Sequence, residues 1–141
     1  MAVFIIRSIF HGNNFTYTQT PYFTDVPANA QFFKYIQKMK DLGITSGETP
    51  TTYGPNDTVT RGEMAVFIIR ARYGTGVPFN YTQTPYFTDV TAGAEFQYIQ
   101  KMKDVGITSG ETPTTYGPND PVTRGEMAVF VMRGVCDARW L

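Results

Sequence analysis

Apolar positions in this chain fall into two kinds of segment that alternate with polar loops. In the first kind, Phe32, Tyr35, Ile36, Met39 and Leu42 stand at helical spacing, with Lys34, Gln37, Lys38 and Lys40 between them and Gly43 following. This predicts an amphipathic helix over roughly residues 28–42, its lysines solvated, closed by a left-handed glycine cap. The second kind, residues 64–69, is apolar all round and predicts a fully buried helix. That helix opens on Thr60-Arg61-Gly62-Glu63. Thr60 can accept from the Glu63 amide while Glu63 reaches back to the Thr60 amide, which makes a capping box. Residues 16–24 are β-prone and predict an extended segment draped over the surface. Residues 44–57 form a Ser, Gly, Thr and Pro loop ending in the turn 54–57. The predicted class is all-α: helix–loop–helix units packed in a pseudo-symmetric bundle with long ordered loops.

The pattern is copied. Residues 64–70 also stand as 1–7, and as 127–133 with two conservative changes. Residues 17–26 recur unchanged as 81–90, and 35–57 recur as 98–120 with only Leu42 replaced by Val105. Tyr17 maps to Tyr81 and Tyr35 to Tyr98, so the second copy has lost one residue near Phe32. A period this long denotes a two-helix unit in tandem, each burying its apolar face on neighbours. The units are assigned as a terminal helix of a truncated repeat (1–12), two full repeats (13–76 and 77–134) and a non-repeat tail (135–141). Function is expected in the seams between repeats.

Composition narrows the chemistry. The formal net charge is zero, which gives no electrostatic case for nucleic acid or an anionic membrane. No apolar run reaches the length of a membrane span, and residues 1–10 are too short and wrongly flanked for a signal peptide. Cys136 and His11 are single, so no internal disulfide, cysteine- or histidine-based metal site, or Ser-His-Asp triad is expected. No cofactor is implied. Nine Tyr, eleven Phe and one Trp exceed what one small core needs, so some rings are candidates for lining a groove.

Arg61 and Gly62 break the local rules. A cation at the first helical position faces the positive end of the macrodipole, and glycine costs about 1 kcal/mol against alanine there. A capping box needs neither. One explanation is an anion pocket, in which Arg61 offers a fork to a carboxylate beside free helix amides and Gly62 admits a ligand closely. The other is an Arg61 ion pair with Asp25 or Asp57 that clamps one repeat on the next. Thr123-Arg124-Gly125-Glu126 repeats the question.

Residues 23–27 (Phe-Thr-Asp-Val-Pro), Tyr35-Ile36, Leu42-Gly43-Ile44, Gly47, Tyr53-Gly54-Pro55-Asn56 and Val59 to Glu63 closely resemble the S-layer homology repeat. The second copy matches through Phe87, Asp89, Val90, Gly106, Ile107, Gly110, Tyr116, Pro118, Thr123, Arg124 and Glu126. The resemblance implies a surface-anchoring module that binds secondary cell-wall polysaccharide, often pyruvylated, in grooves between repeats of a pseudo-threefold bundle. It also implies a location at the cell surface. By position, Arg61 and Arg124 match the family's ligand-binding arginine, while Asp25, Asp89, Gly47 and Gly110 match other groove positions. Gly62 and Gly125 replace the usual alanine, and the first helix lacks its usual tryptophan near Gln31 and Glu95. The family usually carries three units, so a homo-oligomer that completes the missing repeat is a further expected partner. The alternative function is a structural self-assembly unit of a surface layer. The third is a glycan hydrolase using Asp25 with Glu63, or Glu48 with Asp57, as paired carboxylates.

Overall fold

A computed structural model describes residues 1–136; residues 137–141 of the assigned tail lie outside them. Three inner helices form the centre. They are α1 (Ala2–Phe10), α3 (Arg61–Tyr73) and α5 (Arg124–Val131), the last continued by a π-helical turn, Met132–Cys136. Each inner helix touches the other two. Two outer helices complete the bundle: α2 (Phe33–Asp41) lies on α1, and α4 (Phe96–Asp104) lies on α3. Among the described residues there is no β-strand, only the isolated bridges Thr60–Pro121 and Phe87–Val90. The architecture is the all-α bundle that the periodicity predicts.

Ile5, Ile6, Met64, Ala65, Ile68, Ile69, Met39 and Met102 are wholly buried where the layers meet. Each large aliphatic side chain there contributes on the order of 2 kcal/mol by leaving water. Val66 and Phe67 depart from the expectation of a fully buried α3, because they face an open cleft and are only half-buried.

The outer helices are shorter than predicted. Residues 28–32 form successive turns, with the Ala30 amide on the Pro27 carbonyl and the Phe33 amide on Ala30. In the second copy Gly93 has φ 106°, a left-handed conformation that no helix continues. The late start turns Phe33 into the core and leaves Phe32 42% exposed, the reverse of the predicted face. The end is as predicted. Ile44 donates to the Met39 carbonyl and Gly43, at φ 70°, donates to Lys40, which together make a Schellman motif.

The segment before each outer helix is extended without being a strand. A buried glutamine fastens it. Gln37 Nε2 donates to the carbonyls of Thr18 and Thr20 at 2.8 and 2.7 Å, and its Oε1 accepts from the Tyr22 amide at 3.1 Å. Asp41 accepts from the amide and hydroxyl of Thr18 and from the Tyr22 hydroxyl. Gln100 and Asp104 repeat the arrangement. Much of the aromatic excess serves the same linkers: Phe10, Phe15, Tyr17, Phe33 and Tyr35 pack ring on ring, and Tyr73, Phe79, Tyr81, Phe96 and Tyr98 copy them. The lysines of α2 are not a freely solvated face. Lys34 and Lys38 lie 5.0 and 5.1 Å from the ring centres of Tyr35 and Phe10.

Candidate functional site

Both capping boxes form. Thr60 donates its amide to Glu63 Oε2 at 2.8 Å and its hydroxyl accepts from the Glu63 amide at 3.2 Å; Thr123 and Glu126 do the same at 2.9 and 3.2 Å. Beyond the boxes the two copies differ.

At the start of α3 the box is built into a seam with the second repeat. The Arg61 and Gly62 amides donate to the carbonyls of Asp120 and Pro118, both at 2.9 Å, so they are not free for an anion. The guanidinium is 3% exposed. Its Nε donates to the Tyr116 carbonyl at 2.7 Å, its Nη1 pairs with Glu126 Oε1, and its carbon lies 4.8 Å from the ring centre of Tyr116 and 5.6 Å from that of Phe130. The Tyr116 hydroxyl returns a bond to the Arg61 carbonyl at 2.9 Å. Arg61 is therefore a clamp between repeats, and its carboxylate is Glu126 rather than Asp25 or Asp57. The Thr123 amide and hydroxyl, followed by Arg61, hold the Glu126 carboxyl below its ordinary value despite partial burial. Gly62 is needed for close approach, but to a side chain of the protein: a Cβ there would lie 1.7 Å from Glu95 Oε2. Burial, and then Glu63, push the Glu95 carboxyl upward.

At the start of α5 the box is open. Arg124 is exposed and makes no hydrogen bond or ion pair among the described residues. A Cβ on Gly125 would meet nothing nearer than Thr123 Oγ1 at 4.0 Å. Arg124 borders a cleft of about 640 Å³ that runs between α1, α2, α3 and the start of α5. Arg7 and Arg70 bring two more guanidinium groups to it, and Phe4, Phe32, Tyr53 and Phe67 supply rings. Glu48, Asp57, Glu63 and Glu95 supply carboxylates. Asp57 above all raises the Glu48 carboxyl, and burial pushes the Tyr53 hydroxyl up to about 12.

The remaining site candidates divide. Gly47 lines the cleft, at φ 91°, and a Cβ would sit 2.5 Å from the Phe23 ring and 2.6 Å from the Thr49 and Thr52 carbonyls. Gly110 repeats this geometry against Phe87, away from the cleft. Asp25 and Asp89 also lie outside it. Asp25 accepts from the amides of Tyr53 and Gly54 at 2.9 and 2.8 Å, and Asp89 does the same for Tyr116 and Gly117. Desolvation pushes both carboxyls up, but these amide bonds outweigh it and hold them low. Phe67 and Arg70 join the cleft without having been candidates for the site, and Phe32, which the periodicity assigns to the apolar face of the outer helix, joins it as well. The late start of α2 is what exposes Phe32. No grouping of metal-ligating side chains occurs among the described residues.

The profile of the S-layer homology domain matches residues 22–65 and 86–128, more than half of the chain. The chain belongs to the S-layer homology domain family. Each SLH match runs from the strap before an outer helix into the start of an inner one, and so contains one capping box. Among similar proteins, an endoglucanase of Bacillus sp. (strain KSM-635) is 32% identical over 79% of this chain and 11% of that protein. The S-layer protein EA1 of Bacillus anthracis is 26% identical over 78% of the chain and 12% of that protein. A middle cell wall protein of Brevibacillus brevis is 26% identical over 76% and 10%. The chain thus spans about a tenth of the length of these relatives. The SLH module recurs in surface-layer proteins and in glycan-degrading enzymes alike, an association with the cell envelope that is independent of any one chemistry.

Proposed function

We propose that this chain is a non-covalent anchor that holds its parent protein to the cell envelope by taking an anionic, pyruvylated cell-wall polysaccharide into the cleft. The observation that carries this reading is Arg124: an exposed guanidinium beside the uncovered amides of a helix start, on a cleft walled by rings. An acidic ketal would accept from the Arg124 fork and from the Arg124 and Gly125 amides, whose counterparts in α3 are already bonded to the protein. Phe32 would serve as a stacking platform in place of the missing tryptophan, and the cleft carboxylates would accept from sugar hydroxyls. A single such cleft would bind weakly, and linked copies on one parent protein would gain by effective concentration. The test is sedimentation with purified cell-wall polysaccharide, with and without its pyruvyl groups. Arg124→Ala should cost at least roughly tenfold in retention of the pyruvylated form and change little with the depyruvylated form. Equal retention of both forms by both proteins would overturn the reading.

Self-assembly is the second reading, favoured by the outer face of α5. Val129 and Met132 are 42% and 57% exposed there, and no outer helix covers them among the described residues. Light scattering across a concentration series tests it: self-assembly through this face requires a mass that grows with concentration and falls back when Val129 and Met132 are replaced by serine. Glycoside hydrolysis is not proposed. Glu48 and Asp57 crowd each other, Asp57 raising the Glu48 carboxyl, and both Asp25 oxygens are held by loop amides outside the cleft.

A further inference from the structure

Toward the end of α1 and of α3 an arginine lies over a tyrosine of the outer helix that follows. The two stacks match. The guanidinium carbons of Arg7 and Arg70 both lie 5.5 Å from the ring centres of Tyr35 and Tyr98. Phe15 and Phe79 pack on those tyrosines at 5.7 Å, tilted by 56° and 55°. In the first copy an asparagine completes the corner. Asn13 Oδ1 accepts from Arg7 Nε at 3.1 Å and from the Tyr35 hydroxyl at 2.7 Å, and Tyr35 is buried. In the second copy, counted back from Phe79 as Asn13 is from Phe15, the residue is Val77, which has no polar atom to offer and is 60% exposed. Arg70 keeps one bond, from Nη1 to the Ile44 carbonyl at 3.3 Å, but its Nε and the Tyr98 hydroxyl have no hydrogen bond among the described residues. Tyr98 is only half-buried, and with Arg70 it lines a separate pocket of about 430 Å³.

We infer that this pocket is a second carbohydrate subsite, which takes the carboxylate of an acidic sugar where Asn13 places its amide oxygen in the first copy. The charge selects an anion. Arg70 is the one charged residue in the lining, and no carboxylate accompanies it there. A single carboxylate oxygen can accept from both Arg70 Nε and the Tyr98 hydroxyl, in charge-assisted bonds stronger than those a neutral amide oxygen accepts. The rest of the lining suits a pyranose. Phe79 and Tyr98 bring rings, Ser46, Thr75 and Gln97 bring polar groups for hydroxyls, and the volume is that of a small-ligand site. Ser46 and Arg70 line this pocket and the cleft alike, so one polysaccharide can enter both. That source of the acidic sugar rests on the anchoring reading; the carboxylate site itself rests on Arg70 and Tyr98.

The test is to titrate the full chain, at fixed ionic strength, with sodium glucuronate and with glucuronamide, the same sugar without the charge. Amide resonances of Gly76, Val77 and Tyr98 should shift saturably with glucuronate, and glucuronamide should bind roughly tenfold more weakly or worse. Tyr98→Phe keeps the ring and removes a hydroxyl that no other group of the protein uses. It should leave the melting temperature unchanged and weaken glucuronate by roughly tenfold. Equal binding of the two sugars, no saturable shift at these residues, or glucuronate binding untouched by Tyr98→Phe would overturn the proposal; the two-sugar comparison on the unaltered chain decides even if the variant misfolds. Retention of pyruvylated polysaccharide through Arg124 is measured separately, so failure here leaves the anchoring reading standing, and failure of retention leaves the carboxylate site standing.

Discussion

The two Thr-Arg-Gly-Glu boxes share their sequence and their cap geometry, yet one is sealed in a seam and the other opens on a cleft. Arg61 has a carbonyl, a carboxylate and two rings around it, and its neighbouring amides are bonded to the next repeat. Arg124 has solvent. The difference lies in what packs against the helix start, so identity of motif does not give identity of role. What packs on a helix start decides whether its arginine is held inside the protein, as Arg61 is, or lies exposed on a cleft, as Arg124 does.

Paired substitutions break this comparison most forcefully. Glu126→Gln leaves the buried Arg61 charge without its carboxylate and should cost about 3 kcal/mol, whereas Glu63→Gln, with no cation on it, should cost well under 1 kcal/mol. Urea unfolding of the two variants measures both, and equal losses would mean that the seam carries no special stability. Next in size is the strap. Gln37→Leu and Gln100→Leu each orphan two threonine carbonyls and a tyrosine amide and should cost about 2 kcal/mol apiece, equally in both repeats.

The acid response comes third. Asp41 and Asp104 are pushed up by partial burial but held below the ordinary range by the Thr18 and Tyr22, or Thr82 and Tyr86, hydrogen bonds, with Lys38 or Lys101 adding to them. The unfolded chain therefore takes up protons first as pH falls. The stabilisation is complete above the unfolded value of about 3.9 and is lost as pH drops through the lower folded values. Glu48 and Glu95, held high, act in the opposite sense, and protonation relieves them at a higher pH. Stability should fall below about pH 4, and Asp41→Asn with Asp104→Asn should lower stability at pH 7 and flatten that acid limb. The smallest effect belongs to Arg124→Ala, which should change unfolding free energy by no more than about 0.5 kcal/mol.

What the sequence made legible was local. The capping boxes, the Gly43 cap and the burial of Ile68 and Ile69 follow from spacing within one helix and its flanks. The start of α2 was misread because residues 28–32 carry helix-compatible side chains, while their turns are set by the need to bury Phe23, Val26 and Phe33 together. Gln37 stands among lysines on the polar side of the helical pattern; its burial depends on a strap that begins 19 residues earlier at Thr18. The partner of Arg61 lies 65 residues away, and which repeat faces which cannot be read from either box alone. The same non-local packing decides that Arg124, Gly47 and Phe32 share a cleft while Asp25, Asp89 and Gly110 do not.

The most direct test measures melting temperature and retention on pyruvylated polysaccharide together for Arg61→Ala and Arg124→Ala. Arg61→Ala should lower the melting temperature by roughly 6–12 °C, while Arg124→Ala should leave it nearly unchanged and cost at least roughly tenfold in retention. Retention that survives Arg124→Ala undiminished, or a melting temperature equally lowered by both, would contradict these roles.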